Sequence, residues 1–416
     1  MRRLKGRGNM FTISGAYNTA KIFTDAVDDI AAEQIKALCD QSFTEGCRIR
    51  IMPDAHAGAG CVIGFTANLG DKVIPNIVGV DIGCGMLTVM LGKTEIDFDA
   101  LDVVIRTQIP SGTFVHAGRI ARFPELQEMD CFRSLKDTKR IERSIGTLGG
   151  GNHFIEIDCD DEGNKYLVIH SGSRNLGKQV AEHYQALAYD LHRGMDRFFE
   201  KQQEIIEGYK AAGRKTEIQA ALKALKKDYR CKESPIPREL CYLYGAYRDS
   251  YLKDMKLCQQ YAVRNRAMMA KIILHAMFGK ELAEFGSFET VHNYIDHKSN
   301  IIRKGAVSAQ QGELLLIPIN MRDGSLICIG KGNEDWNCSA PHGAGRLYSR
   351  SQARALFTVE EFAACMQDVY TTCICSGTLD ESPMAYKTMD DIVNNISPTA
   401  EIVKVIRPLY NFKATG

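Results

Sequence analysis

The chain has 416 residues, 45% of them hydrophobic and 25% charged, with a formal net charge of +1. This is a globular composition with ample material for a core; it excludes a uniformly basic nucleic-acid coat but not a local basic cleft. No apolar run reaches the ~18–20 residues of a membrane span, and the basic start Met1-Arg2-Arg3-Leu4-Lys5 leads into no apolar signal segment, so neither a membrane partner nor secretion is expected.

Short β-branched runs punctuated by glycine predict strands at 61–65, 76–81, 154–157 and 166–170, with polar residues at their ends. From 176 to 279 the texture becomes helical, rich in Ala, Lys, Glu, Gln and Leu. Ile218, Leu222 and Leu225 recur there at i, i+4 and i+7, while Lys223, Lys226, Lys227 and Arg230 take other positions. Those basic residues are either a contact for RNA phosphates or the solvated face of an amphipathic helix, and the second is the simpler reading. Strand texture returns beyond Phe288, where 314–318 and 326–329 flank an Arg322-Asp323-Gly324 turn. No repeat or low-complexity linker divides the chain. One α+β catalytic domain over 1–416 is therefore expected, with 176–279 as a helical insertion between two halves of one site. Fourteen cysteines are scattered from Cys39 to Cys375 without disulfide-scaffold spacing, which points to a reducing, cytoplasmic setting. Cys373-Ile374-Cys375 is too tight for a CxxC pair and reads as ordinary thiols.

The chemistry gathers where strands end. Asp81 and Cys84 lie three apart in a glycine-rich turn, a spacing at which a carboxylate and a thiolate converge on one cation. A thiolate can bridge two ions, and imidazoles from His153, His170 and His292 would complete two coordination spheres. Taken singly, each of these residues has a structural alternative; the shared setting in glycine-bounded loops points to a metal site. Along 152–156 the alternation sets Asn152, Phe154 and Glu156 on one face and His153 on the other. Glu156, acceptor-only when ionised, suits the N1–H and N2–H₂ donors of guanine. His342, in Pro341-His342-Gly343-Ala344-Gly345-Arg346, is either a turn residue or a nucleophile presented to a phosphate by small neighbours, with Arg346 adding charge.

These motifs occur together in a known order. Met52-Pro53-Asp54-Ala55-His56, Gly79-Val80-Asp81-Ile82-Gly83-Cys84-Gly85, Gly149-Gly150-Gly151-Asn152-His153-Phe154, His170-Ser171-Gly172-Ser173-Arg174, Arg303-Lys304-Gly305-Ala306, His342-Gly343-Ala344-Gly345-Arg346 and Ala385-Tyr386-Lys387 resemble the RtcB family of RNA-splicing ligases, from about Arg50 to the C-terminus. The resemblance implies mixed, largely antiparallel sheets around a central metal cleft. It also implies a ligase that uses GTP and two Mn²⁺ ions to join an RNA 3′-phosphate or 2′,3′-cyclic phosphate to a 5′-hydroxyl, in tRNA splicing or RNA repair. Asp81, Cys84 and His153 would hold one Mn²⁺, and Cys84, His170 and His292 the other. His342 would carry GMP covalently. The guanylate pocket would draw on Asn152, His153, Phe154, Glu156, His292, Asn293, Pro318, Asn320, Met321, Ser325, His342, Gly343, Ala344, Gly345, Tyr386 and Lys413.

One departure stands out. Where the family usually has Pro-Gly-Ser-Met-Gly, this chain has Pro318-Ile319-Asn320-Met321-Arg322, which bears on nucleotide preference and offers Arg322 as a phosphate partner. Rival readings are a metal-dependent RNA-end phosphodiesterase, which needs the metal ligands but not His342, and a non-catalytic RNA-end-binding protein. Oligomeric state and the need for an activating protein are left open by the sequence.

Overall fold

Antiparallel pairing brings most of those strand ends to one place. In the computed structural model, which describes residues 10–25 and 27–414, a seven-stranded sheet runs edge to edge as Leu314–Asn320, Gly324–Gly330, Ala400–Lys413, Phe154–Cys159, Lys165–Ser171, Gly85–Gly92 and Gly286–Val291. Every neighbouring pair is antiparallel. The two edge strands approach each other, the Leu316 N–H donating to Thr290 Oγ1 at 3.0 Å, so the sheet curls into a nearly closed barrel. Register shifts near Pro318, Ile327 and Pro408 supply the local bends that such curling needs.

Alternation along the strands sorts their side chains. Met86, Phe154, Tyr166, Val168, Leu316, Ile327 and Ile406 pack together on one face. On the other face Leu87, Val89, Ile155, Leu167 and Ile169 pack against Met269, Ile273 and Leu274 of the long helix Gly245–Phe278. A second, six-stranded sheet runs Phe11–Ser14, Thr19–Ile22, Arg50–His56, Ile63–Ala67, Ile302–Lys304 and Asn293–Ile295, with one parallel pair between its second and third strands. A two-stranded ladder of Ala306–Ser308 with Ser339–Pro341 delivers His342 directly.

The fold is thus the expected α+β arrangement of largely antiparallel sheets, and the strands expected near 61–65, 154–157, 166–170, 314–318 and 326–329 are present. Residues 76–81 are a correction: Pro75–Val78 form a short helix and a turn follows. Pro75 has no N–H for a ladder, and its fixed φ suits a first helical position; the β-branched run alone gave no sign of this.

The 176–279 region has two parts. Helices Arg174–His192 and Gly245–Phe278 lie in the core, the first through Leu176, Val180 and Tyr184, the second through Tyr251, Met255 and Tyr261. Between them, Asp196–Ala211 buries Phe198 alone and Ile218–Asp228 buries no residue fully. Lys223, Lys226, Lys227 and Arg230 are exposed there, as a solvated helix face requires. No helix among the described residues is long and apolar enough to cross a membrane. The basic start of the chain lies outside the described residues. All fourteen cysteines are free, Cys373 buried and Cys375 half-buried.

Burial on the two sides of this division predicts different costs for the same truncation. Ile169→Ala, in the packed barrel wall, is expected to lower unfolding stability by about 2–5 kcal/mol, and Leu222→Ala, half-buried on the peripheral helix, by far less, both read from urea denaturation.

Candidate active site

Four adjacent barrel strands deliver potential ligands to one mouth. Asp81 and Cys84 form the tight turn before Gly85–Gly92, the Cys84 N–H donating to the Asp81 carbonyl at 3.1 Å. His153 immediately precedes Phe154–Cys159, His170 lies at the end of Lys165–Ser171, and His292 follows Gly286–Val291. Cys84 Sγ sits 3.3 Å from His153 Nε2 and 3.4 Å from His170 Nε2, while His153 Nε2 is 2.9 Å from Asp81 Oδ2. Two groups, Asp81–Cys84–His153 and Cys84–His170–His292, each have their ligand atoms within 4.8 Å of one another. Cys84 belongs to both, as a bridging thiolate requires.

Outer hydrogen bonds set the imidazole tautomers. His153 Nδ1 lies 2.8 Å from the Leu148 carbonyl and His170 Nδ1 3.1 Å from the Asn152 carbonyl. A carbonyl only accepts, so each Nδ1 keeps its hydrogen and each Nε2 turns a lone pair toward Cys84. Burial pushes the His170 and His292 pKa values well below the ordinary range, which keeps both rings in the neutral, ligating form. His292 Nδ1 is buried without a hydrogen-bond partner. Burial, reinforced by Asp81, pushes the Cys84 thiol well up, with Arg266 opposing. Burial also works against ionising Asp81, but its close contact with His153 holds its pKa below the usual value. A thiolate, a carboxylate and neutral imidazoles so gathered are a donor set that fits a cation.

The same cleft, of about 940 Å³, exposes His342. Its Nδ1 lies 2.6 Å from Asp54 Oδ2, and its backbone N–H donates to the same oxygen at 3.1 Å. Asp54 is fully buried and fixes Nδ1 as the protonated nitrogen, leaving Nε2 as the lone-pair nitrogen. The Asp54 strand is itself clamped: Lys387 Nζ donates to the Pro53 and Ala55 carbonyls at 3.0 and 3.3 Å. A Cβ at Gly345, where φ is +76°, would stand 2.3 Å from the Asp54 carbonyl oxygen, so only glycine lets the His342 turn meet the Asp54 strand. The His292 ring lies 4.9 Å from that of His342, joining the two halves of the site.

Of the expected guanylate residues, Asn152, Phe154, Glu156, Asn293, Tyr386 and Lys413 line the cleft, as do Pro318, Asn320, Met321 and the Gly343–Gly345 turn. His153 lies in the ligand cluster behind them. Ser325 does not line the cleft; it is fully buried, paired with Pro318 across the ladder. Burial raises the Glu156 pKa to about 7 against the opposing effects of Asn411 and Lys413. Lys413 Nζ reaches Glu381 at 2.9 Å and lies 5.6 Å from the Phe154 ring centroid.

The unusual turn is occupied with itself. Asn320 Oδ1 accepts the Arg322 and Asp323 N–H groups while its Nδ2 donates to Asp323. Arg322 forms a forked pair with Asp323 and does not line the cleft, which removes it as a ready phosphate partner. Ile319, 2% exposed, gives that wall an apolar side chain. Arg346 is likewise engaged, with Glu381, the Tyr386 hydroxyl and the Asp380 carbonyl.

Sequence reasoning assigned no role to Asp54 or Glu381. Asp54 stood within a recognised motif, and its partner His342 is 288 residues away. Glu381 is a buried hub for Lys413, Arg350 and Arg346; burial opposes its ionisation, yet those cations hold its pKa down to about 2. A buried acid so far from its partners in the chain leaves no local signal.

Similarity to known proteins extends along most of the chain. The family described as tRNA-splicing ligase RtcB matches residues 40–130 and 122–414. The RNA-splicing ligase RtcB of Escherichia coli strain K12 is 30% identical over 88% of this chain and 90% of its own length. The tRNA-splicing ligases RtcB of Nanoarchaeum equitans and Aeropyrum pernix are each 26% identical, over 82% and 86% of this chain and 83% and 86% of their own. With the family matched from residue 40 to 414, and its histidine-rich motifs gathered around one cleft, the chain belongs to the RtcB family of tRNA-splicing ligases.

Proposed function

We propose that this RNA ligase uses GTP and two Mn²⁺ ions to join RNA 3′-phosphate or 2′,3′-cyclic phosphate ends to 5′-hydroxyl ends through a guanylated His342. The observation that carries the reading is the His342–Asp54 pair, which leaves Nε2 as a nucleophile beside the cysteine–histidine cluster. The bound ions would supply Lewis-acid polarisation of phosphate oxygens and neutralise charge on leaving groups. Asp81, Cys84 and His153 would hold one, and Cys84, His170 and His292 the other; the choice of manganese follows the family resemblance.

His342 Nε2 attacks the α-phosphorus of GTP, forming an N–P bond as pyrophosphate leaves. The imidazole becomes cationic, keeps its Nδ1 proton, and is stabilised by the Asp54 carboxylate. Guanylate then passes to an oxygen of the RNA 3′-phosphate, breaking the N–P bond and making an RNA-ppG end. The 5′-hydroxyl oxygen attacks the RNA phosphorus, GMP leaves and the phosphodiester is complete. A cyclic phosphate is first hydrolysed to the 3′-monophosphate. Glu156 accepts from guanine N1–H and N2–H₂, with Phe154 and Lys413 beside it. Arg350, half exposed at the rim, suits RNA phosphates, so RNA affinity should fall with salt. The relatives' names point to tRNA splicing, and repair of cleaved RNA presents the same ends. Free cysteines support a reducing, cytoplasmic setting.

Incubation with Mn²⁺ and α-labelled GTP or ATP tests the reading: a protein–GMP adduct is expected with GTP, and its absence with cyclic-phosphate hydrolysis intact would favour the phosphodiesterase. His342→Ala should abolish the adduct while sparing metal binding by calorimetry. Asp54→Asn should slow adduct formation by about 10²–10⁴-fold. Glu156 is acceptor-only when ionised but a donor when protonated, so the GTP-to-ATP ratio in the adduct should fall as pH drops through about 7.

A further inference from the structure

The long helix Gly245–Phe278 crosses behind the ligand cluster and presents two adjacent, fully buried polar side chains, Asn265 and Arg266. Burying a guanidinium and an amide costs several kcal/mol of desolvation unless their hydrogen bonds are met. Here nearly all of them go to loops that carry the candidate ligands. Asn265 Oδ1 accepts the Gly146 and Thr147 N–H groups at 2.8 and 3.0 Å. Its Nδ2 lies 3.1 Å from the Thr147 carbonyl, Ser171 Oγ and the Gly172 carbonyl. Ser171 adjoins His170, and its hydroxyl donates to the Leu148 carbonyl, the group that also orients His153. Arg266 Nη1 donates to the carbonyls of Gly83, next to Cys84, and of Ser171 at 3.0 and 2.7 Å.

The remaining contacts complete the brace. Arg266 Nε donates to Glu289 at 2.8 Å, on the strand that leads to His292, and the His292 N–H donates to the Cys84 carbonyl at 3.0 Å. The Gly83 turn sits directly on the helix: at φ +74°, a Cβ there would stand 2.9 Å from Gln259 Cα. One rigid helix therefore sets the spacing of segments from four separate regions of sequence.

We propose that Asn265 and Arg266 are the positioning residues of this centre, holding the loops of Cys84, His153 and His170 at ligating distance. The proposal rests on the reading of the cluster as a metal centre. Arg266→Lys keeps the charge and loses the fork. Asn265→Asp keeps the shape and loses the donors, and Glu289→Gln weakens the anchor of Arg266. The probe is Co²⁺, followed by calorimetry and by the thiolate-to-cobalt charge-transfer and ligand-field bands, with folding checked by circular dichroism. Wild type and the control Arg264→Lys, on the same helix but with its side chain turned to Glu125 and away from the ligand loops, are expected to bind with full bands. The three test variants should bind about 10- to 100-fold more weakly with a shifted ligand-field band. Glu289, whose side chain is 27% exposed, carries the test should Arg266→Lys fail to fold. Folded variants with wild-type affinity and spectra overturn the proposal alone. A wild-type protein with no thiolate–cobalt band overturns the metal-centre reading and this proposal with it.

Discussion

Burying Cys84 between Asp81 and three imidazoles is the constraint on which the rest of the structure depends. Burial holds the Cys84 thiol against ionisation beside an ionised Asp81, and His170 and His292, kept neutral by burial, cannot offset a thiolate's charge. The arrangement becomes favourable when a cation binds, so folding and metal loading should be coupled. A nearly closed barrel suits this need. It brings four strand ends to one mouth within a few ångströms, and each outer hydrogen bond fixes a ring before any ligand arrives.

The proposed nucleophile is built by a separate part of the molecule. His342 and Asp54 belong to the two-stranded ladder and the six-stranded sheet, not to the barrel. The cleft lies where these units meet, and the adjacent, mutually tilted His292 and His342 rings mark the seam. In the proposed reaction, such a division would let the ion cluster and the guanylate carrier be fixed independently, yet face one phosphate between them. Glu381 extends the same logic to the nucleotide wall. Its charge is held by Lys413, Arg346 and Arg350, so these cations are spaced in advance for the GTP and RNA of the proposed reaction.

Asp81, Cys84, His153, His170, His292 and His342 were legible in the sequence because each flanks a short apolar run or a glycine turn, where a ligand type is conspicuous. Their relative order matched a family, and the family supplied roles that spacing alone left open. Asp54, Glu381, Asn265 and Arg266 meet partners far away in the chain, so no local pattern announces those pairings, even for Asp54 within its recognised motif. The helical region shows the same limit. Its composition predicted helices but not that Gly245–Phe278 is the back wall of the site while Ile218–Asp228 stays peripheral. The 76–81 run misled for a local reason, Pro75 just ahead of it. At the Ile319–Arg322 turn the departure was visible, but the pairing of Arg322 with Asp323 was not.

The central claim is that a histidine fixed by a buried aspartate carries guanylate. Mass spectrometric mapping of the protein after incubation with GTP and Mn²⁺, under conditions that preserve N–P bonds, tests it most directly. The account predicts one GMP on the peptide containing His342, attached at Nε2. GMP on any other residue, or ligation without an adduct, would contradict it.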